Sequence, residues 1–259
     1  MLSYAYYSVL RRTNMEIVTV GIIGEGELAD KLKELMGKAN LKVVLANWKE
    51  EYGKQIEESD LILELAPEDL GAKKKVFKHC DAKCPKDTIL ATTSANPWVT
   101  RLAGETKRPD KVVGLNFTKN PFEEKYLVQV VKGLQTSGDT IQAVKQFLSN
   151  VGITAVKLEE TPGLILDRVI ASVVNEAAVM YSSKLATIAD IDKMMKVCVN
   201  WPMGPFEFAD SIGVDRVVEI LDEMTQQLGP KFQPCFLLRR MVGAGWLGKK
   251  TGRGFHVYS

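Results

Sequence analysis

The stretch Ile17–Met36 reads IVTVGIIGEGELADKLKELM. IVTVGII is a β-rich run, and ELADKLKELM carries apolar residues at helical spacing. Between them lies GEGELA, Gly24–Ala29. Gly24 permits a tight turn, Gly26 lets a pyrophosphate approach the backbone, and Ala29 replaces the third glycine of the usual pattern. A glycine pattern alone is a weak signal; one that follows a strand and opens a helix is a useful one.

Working outward, the same alternation continues through KVVLA, LILEL, a long amphipathic run Glu68–Cys84, TILATT and KVVGLNF. Alternating β and α units imply a parallel sheet with helices on both faces, an α/β class with a Rossmann-type, doubly wound domain. After LVQVV, Asp139–Val151 has helical spacing, and ITAVKL closes the domain as a further strand. Thr161, Pro162 and Gly163 then punctuate the chain. Beyond them Leu166, Val169, Ile170, Val173, Val174 and Ala177 form the stripe of a buried helix, and Thr187 with Asp190 resembles a capping box. The expected organisation is an N-terminal extension 1–14, a dinucleotide-binding-like domain 15–161 and an all-α domain 162–259.

Composition excludes several classes. The chain has 259 residues, 46% apolar and 25% charged, as in an ordinary globular protein. A net charge of +2, with acids and bases interspersed, gives no nucleic-acid footprint. No apolar run approaches a bilayer span, so no membrane partner is expected. Cys80, Cys84, Cys198 and Cys235 form neither a metal-ligand pattern nor a disulfide framework, which fits a reducing, cytoplasmic setting.

The segment Gly114–Val130, GLNFTKNPFEEKYLVQV, carries the chemistry. It resembles the 3-hydroxyacyl-CoA dehydrogenase family, whose matching run reads roughly GLHFFNP, a short link, then LVEV. In that family the His takes the substrate hydroxyl proton and the Glu orients it. Here the His position is Asn116 and the Glu position is Gln129, and Lys119 lengthens the run by one residue. Amides keep hydrogen-bonding capacity but do not titrate near neutral pH, which general acid–base work requires. The resemblance extends from Met15 to the end of the chain, through PG at Pro162, DIDKMM, WPMGPFEFADSIGVD and GKKTGRGF.

The resemblance implies further site positions. Asn120 matches a retained family Asn, the substrate-contacting Ser becomes Ala95, and Asp167 stands where the family has an Asn that donates to the substrate carbonyl. An ionised carboxylate there opposes charge developing on that oxygen and helps only when protonated. Glu68 and Lys73 match family residues near the nicotinamide half of the cofactor, though as exposed residues opening a helix they need no function. The family's ribose-holding Asp is replaced by Asn47, with Trp48 able to stack on adenine or cover apolar surface, and Lys49 able to meet a 2′-phosphate. NAD and NADP therefore both stay open as cofactors, and Glu25 and Glu27 at the helix start leave a weakened nucleotide site open too. Only twelve residues separate Asn47 from Asp60, where the family inserts a long helical hairpin that helps hold CoA.

With two histidines in the chain, a relocated base is easily sought: His79 lies in a charged helical run and His256 in GFHVYS, neither close to Asn116 in sequence. Lys119, Glu123, Glu124 and Lys125 read as a solvated charged loop. Three readings follow. The chain is a family member whose usual NAD-dependent oxidation is weak or lost, leaving a dinucleotide- or metabolite-binding role. Alternatively it oxidises a smaller hydroxy substrate through other residues, or it is a non-enzymatic partner protein. The expected partners are a small metabolite derived from acyl-CoA and a second copy, paired through the C-terminal helices as the resemblance implies.

Overall fold

A computed structural model describes residues 16–50, 52–94, 96, 98–119 and 126–258. The extension 1–14, Ala95, Asn120 and the Glu123, Glu124 and Lys125 cluster lie outside them. The chain divides between Glu160 and Thr161 into two compact units.

In the first unit, β1 (Thr19–Gly24), α1 (Glu27–Lys38), β2 (Lys42–Ala46), α2 (Lys54–Glu57), β3 (Leu61–Leu65), α3 (Leu70–Lys83) and β4 (Ile89–Thr92) alternate in chain order. They are followed by α4 (Val99–Ala103), β5 (Val112–Lys119), β6 (Tyr126–Lys132), α5 (Gly138–Asn150) and β7 (Thr154–Glu159). The seven strands lie in the order β2-β1-β3-β4-β5-β6-β7. From β1 the chain passes to β2 on one side and to β3 on the other, so the C-terminal ends of β1 and β3 flank the crevice where such sheets bind ligands.

The expectation of a parallel sheet needs one correction. β6 runs antiparallel to β5, with Asn116 opposite Gln129. Only residues 120–125 join the two strands, too few for a parallel crossover, which takes a dozen residues or more. The remaining ladders are parallel. The core is built from alternate strand residues such as Val20, Ile22, Leu61, Leu63, Val113, Leu115, Val128 and Val130, covered by Leu32 and Met36 of α1 and by Val144, Phe147 and Leu148 of α5. Caps define the helix starts: Asp69 accepts from the Ala72 amide before α3, and Ser137 from Thr140 before α5. The run Lys54–Glu57 makes one short helix, as its length allows.

The second unit is helical: α6 (Leu166–Ser182), α7 (Ile188–Cys198), α8 (Pro205–Ile212), α9 (Val214–Leu228) and α10 (Phe236–Gly243). Thr187 caps α7, its hydroxyl oxygen accepting from the Asp190 amide at 3.2 Å. Val174, Ala177, Ala178, Phe206, Ala209, Val217, Leu221, Met224 and Leu238 form the core. Two buried carboxylates hold the last residues in place. Asp210 accepts from the Phe255 amide at 2.9 Å, the His256 amide at 2.8 Å and the Tyr258 hydroxyl at 3.0 Å. Asp192 meets His256 Nε2 at 2.9 Å. No described helix is long and apolar enough to cross a membrane.

Candidate active site

The β5–β6 register brings the first group of candidate residues together. Directly opposite residues on antiparallel strands share a face and bring their Cβ atoms close, and residues two apart on a strand share that face too. Asn116, Thr118 and Gln129 are therefore neighbours. Gln129 Nε2 donates to Asn116 Oδ1 at 3.0 Å, the Thr118 hydroxyl donates to the same oxygen at 3.3 Å, and Gln129 Nε2 reaches Thr118 Oγ1 at 3.5 Å. Gln129 is buried and Asn116 half-buried. Exchanging oxygen and nitrogen in both amides only reverses the donor, and neither arrangement contains a group that titrates near neutral pH. Thr118 was not singled out from the sequence, although its place two residues beyond Asn116 was the signal.

At the C-terminal ends of β3 and β4 lies a second cluster. Lys73 was expected as an exposed residue opening a helix; its side chain is 1% exposed and lies on Glu64, which is fully buried. Lys73 Nζ donates to Glu64 Oε1 at 3.0 Å, Oε2 at 3.2 Å and the Ala66 carbonyl at 3.0 Å. The Thr92 hydroxyl donates to Glu64 Oε2 at 2.8 Å and the Ala66 amide to Oε1 at 2.5 Å. The reason is topological: α3 packs back on the sheet, and a lysine one turn into it reaches the acid carried by the apolar strand LILEL. Burial pushes the Glu64 carboxyl above the ordinary range, against the pull of Lys73 and the hydrogen bonds. Glu68 stays partly exposed, 3.4 Å from Lys73, and accepts from the Ser94 hydroxyl and from Asn96 Nδ2 at 2.8 Å. Sequence reasoning missed Glu64, whose signal was an acid inside an otherwise apolar strand.

At the glycine loop, the residues fit a dinucleotide. Gly24 has φ 143° and a Cβ there would lie 2.5 Å from the Leu65 carbonyl oxygen, so this glycine serves the packing of β1 on β3. Gly26 has φ 110° and no atom within 4 Å of where its Cβ would be. That open backbone starts α1, with Ala29 buried beneath it. A pyrophosphate fits such a helix start, whose first amides point outward. Asn47, just past β2, donates to Glu25 of the loop.

Asp167 belongs to the helical unit, in the first turn of α6. Burial raises its carboxyl above the usual range, with Arg216 pulling the other way. His79 makes no described contact with the amide pair. His79 is half-buried with its ring edge-on to Tyr52 at 4.5 Å, and His256 is tied to Asp192. Cys80 and Cys84 are buried packing residues, and no cluster of metal-ligating side chains occurs among the described residues.

This fold with this glycine loop defines a dinucleotide-binding domain of the dehydrogenase type, joined to an all-α unit. The family described as "3-hydroxyacyl-CoA dehydrogenase, NAD binding domain" matches residues 47–161, and "3-hydroxyacyl-CoA dehydrogenase, C-terminal domain" matches 163–258. The probable 3-hydroxybutyryl-CoA dehydrogenase of Bacillus subtilis is 40% identical over 205 residues, 79% of this chain and 71% of that protein. The 3-hydroxybutyryl-CoA dehydrogenase of Clostridioides difficile is 38% identical over 205 residues, 79% of this chain and 73% of that protein. The crystal structure of (S)-3-hydroxybutyryl-CoA dehydrogenase from Ralstonia eutropha superposes with a TM-score of 0.88 at 29% identity, covering 94% of this chain and 100% of that one. The chain belongs to the 3-hydroxyacyl-CoA dehydrogenase family, whose NAD-binding domain it carries.

Two outcomes follow from this geometry. Lys73→Met leaves a buried carboxylate unpaired and is expected to cost about 3–5 kcal/mol, read from the urea midpoint, whereas adding Glu64→Gln restores most of the loss. A single variant as stable as wild type contradicts the buried pair. For Asp167, the folded state holds the proton more tightly than the unfolded chain does, so the group adds stability in acid that is lost as pH rises through its folded pKa. Asp167→Asn removes that dependence: urea midpoints from about pH 3.5 to about pH 7 should show wild type losing ground to the variant as pH rises. A gap that does not change with pH contradicts the assignment.

Proposed function

We propose that this chain binds a nicotinamide dinucleotide and a small acyl-CoA-derived metabolite, and that the family's oxidation of 3-hydroxyacyl-CoA is slow or lost in it. The bond from Gln129 Nε2 to Asn116 Oδ1 carries this reading, because the run around these two residues resembles the family's base and its orienting acid with an amide at each position. A bound nicotinamide supplies the hydride chemistry; the chain's own residues must supply the proton transfer. General acid–base catalysis contributes about 100- to 10,000-fold, or roughly 3–5 kcal/mol of barrier. Asn116 can still donate to a ligand oxygen from Nδ2, since its Oδ1 is engaged on the other side of the amide. That suits holding an oxygen in place better than taking its proton. The short α2, where the family inserts its hairpin, weakens CoA recognition from a second direction. Four free cysteines support the cytoplasmic setting.

Wild type and Asn116→His/Gln129→Glu should both oxidise 3-hydroxybutyryl-CoA at least ~100-fold more slowly than the Bacillus subtilis relative assayed alongside. A wild-type rate within tenfold of the relative refutes the reading. Fast oxidation by the double variant alone refutes the weight given to the missing hairpin. Turnover on a smaller hydroxy substrate in the same assay favours an active oxidoreductase of different specificity.

The helical unit supports a further part of the proposal, that two copies pair through it. Leu185 and Phe236 are 71% and 75% exposed and line one cavity of about 870 Å³ with Tyr181 and Leu237. Large exposed apolar side chains gathered around one hollow mark an interaction surface. Light scattering should give a dimeric mass for wild type and a monomeric one for Leu185→Glu/Phe236→Glu; a monomeric wild type contradicts the pairing.

A further inference from the structure

We infer that Glu25, and not the residue at the end of β2, is the group that selects between nicotinamide dinucleotides in this chain, favouring the one whose adenosine ribose bears a free 2′-hydroxyl. The inference rests on the dinucleotide reading above and deepens it. β1 and β2 are adjacent parallel strands, with Ile23 in register with Ala46. The residues that follow each strand therefore leave the sheet side by side: Glu25 in the glycine loop and Asn47 after β2. Their side chains are joined, Asn47 Nδ2 donating to Glu25 Oε1.

In dinucleotide-binding folds of this kind, an acid after the second strand accepts from the ribose 2′-hydroxyl, and a cation nearby accommodates a 2′-phosphate. Asn47 is not an acid, and its amide is engaged at both ends, since Oδ1 accepts from the Lys49 amide at 2.9 Å. The amide instead works as a strut that holds the Glu25 carboxylate at this position. Glu25 is exposed, and a carboxylate has lone pairs beyond the one that Asn47 uses, so it can accept from a diol. A 2′-phosphate placed there would set two negative groups side by side, which costs binding energy and rejects the wrong partner. Lys49, the cation able to offset that repulsion, lies 5.3 Å over the Trp48 ring. Its backbone, not its ammonium, is what bonds to Asn47. The selecting charge has therefore moved from the second strand to the glycine loop, with the same electrostatic logic.

The test is a calorimetric titration of the full chain with NADH and with NADPH, with melting curves to confirm that each variant is folded. Wild type should bind NADH at least about tenfold more tightly than NADPH. Glu25→Gln should narrow that ratio at least threefold, and Glu25→Lys should turn it towards NADPH. A ratio that Glu25→Gln and Glu25→Lys both leave unchanged, or a wild type that prefers NADPH, overturns the assignment and leaves the dinucleotide reading intact. No heat with either nucleotide overturns both.

Discussion

The hydrogen bond between Gln129 and Asn116 is the constraint on which the functional account turns. It forms because β5 and β6 are antiparallel and in a register that sets the two residues directly opposite, with Thr118 on the same face. What this register holds together is a pair of neutral amides. Two amides can orient each other as well as an imidazole and a carboxylate can. They differ in the one property a proton shuttle needs, a pKa within reach of working pH.

The surrounding site keeps a dinucleotide-binding character for independent reasons. The Glu64–Lys73 pair sits buried beneath the ends of β3 and β4, where removing Lys73 leaves Glu64 buried without its counter-charge. The pair ties the first turn of α3 to β3, and Lys73 also lies 3.4 Å from Glu68. The open backbone at Gly26 and the Glu25–Asn47 contact lie on the same C-terminal edge of the sheet. The binding geometry is built from the backbone and the strand ends, whereas the Asn116–Gln129 bond belongs to the facing side chains of β5 and β6.

Much of this was legible in the sequence, and the limits have physical causes. The β1–glycine–α1 unit, the shortness of the segment holding α2, the Thr187 cap and the closing strand β7 were readable because each depends on local spacing or local capping. The antiparallel turn of β6 was not read, although the shortness of residues 120–125 already demanded it. Lys73 was misread as exposed because a charged residue near a helix start is usually solvated, and its partner Glu64 lies in another element. The Glu25–Asn47 bond was hidden for the same reason: the two residues are adjacent only because β1 and β2 are. Residue identities at Asn116 and Gln129 were visible from the start; the bond between them required the strand register.

The most direct test is the dependence of turnover on pH, measured for the unmodified chain with 3-hydroxybutyryl-CoA and NAD. With no imidazole or carboxylate in the Asn116–Gln129 pair, whatever residual rate exists should show no bell-shaped profile between about pH 5 and 9. Rapid turnover with a bell-shaped profile in that range would contradict the account, because it would require a titrating base that this pair does not contain.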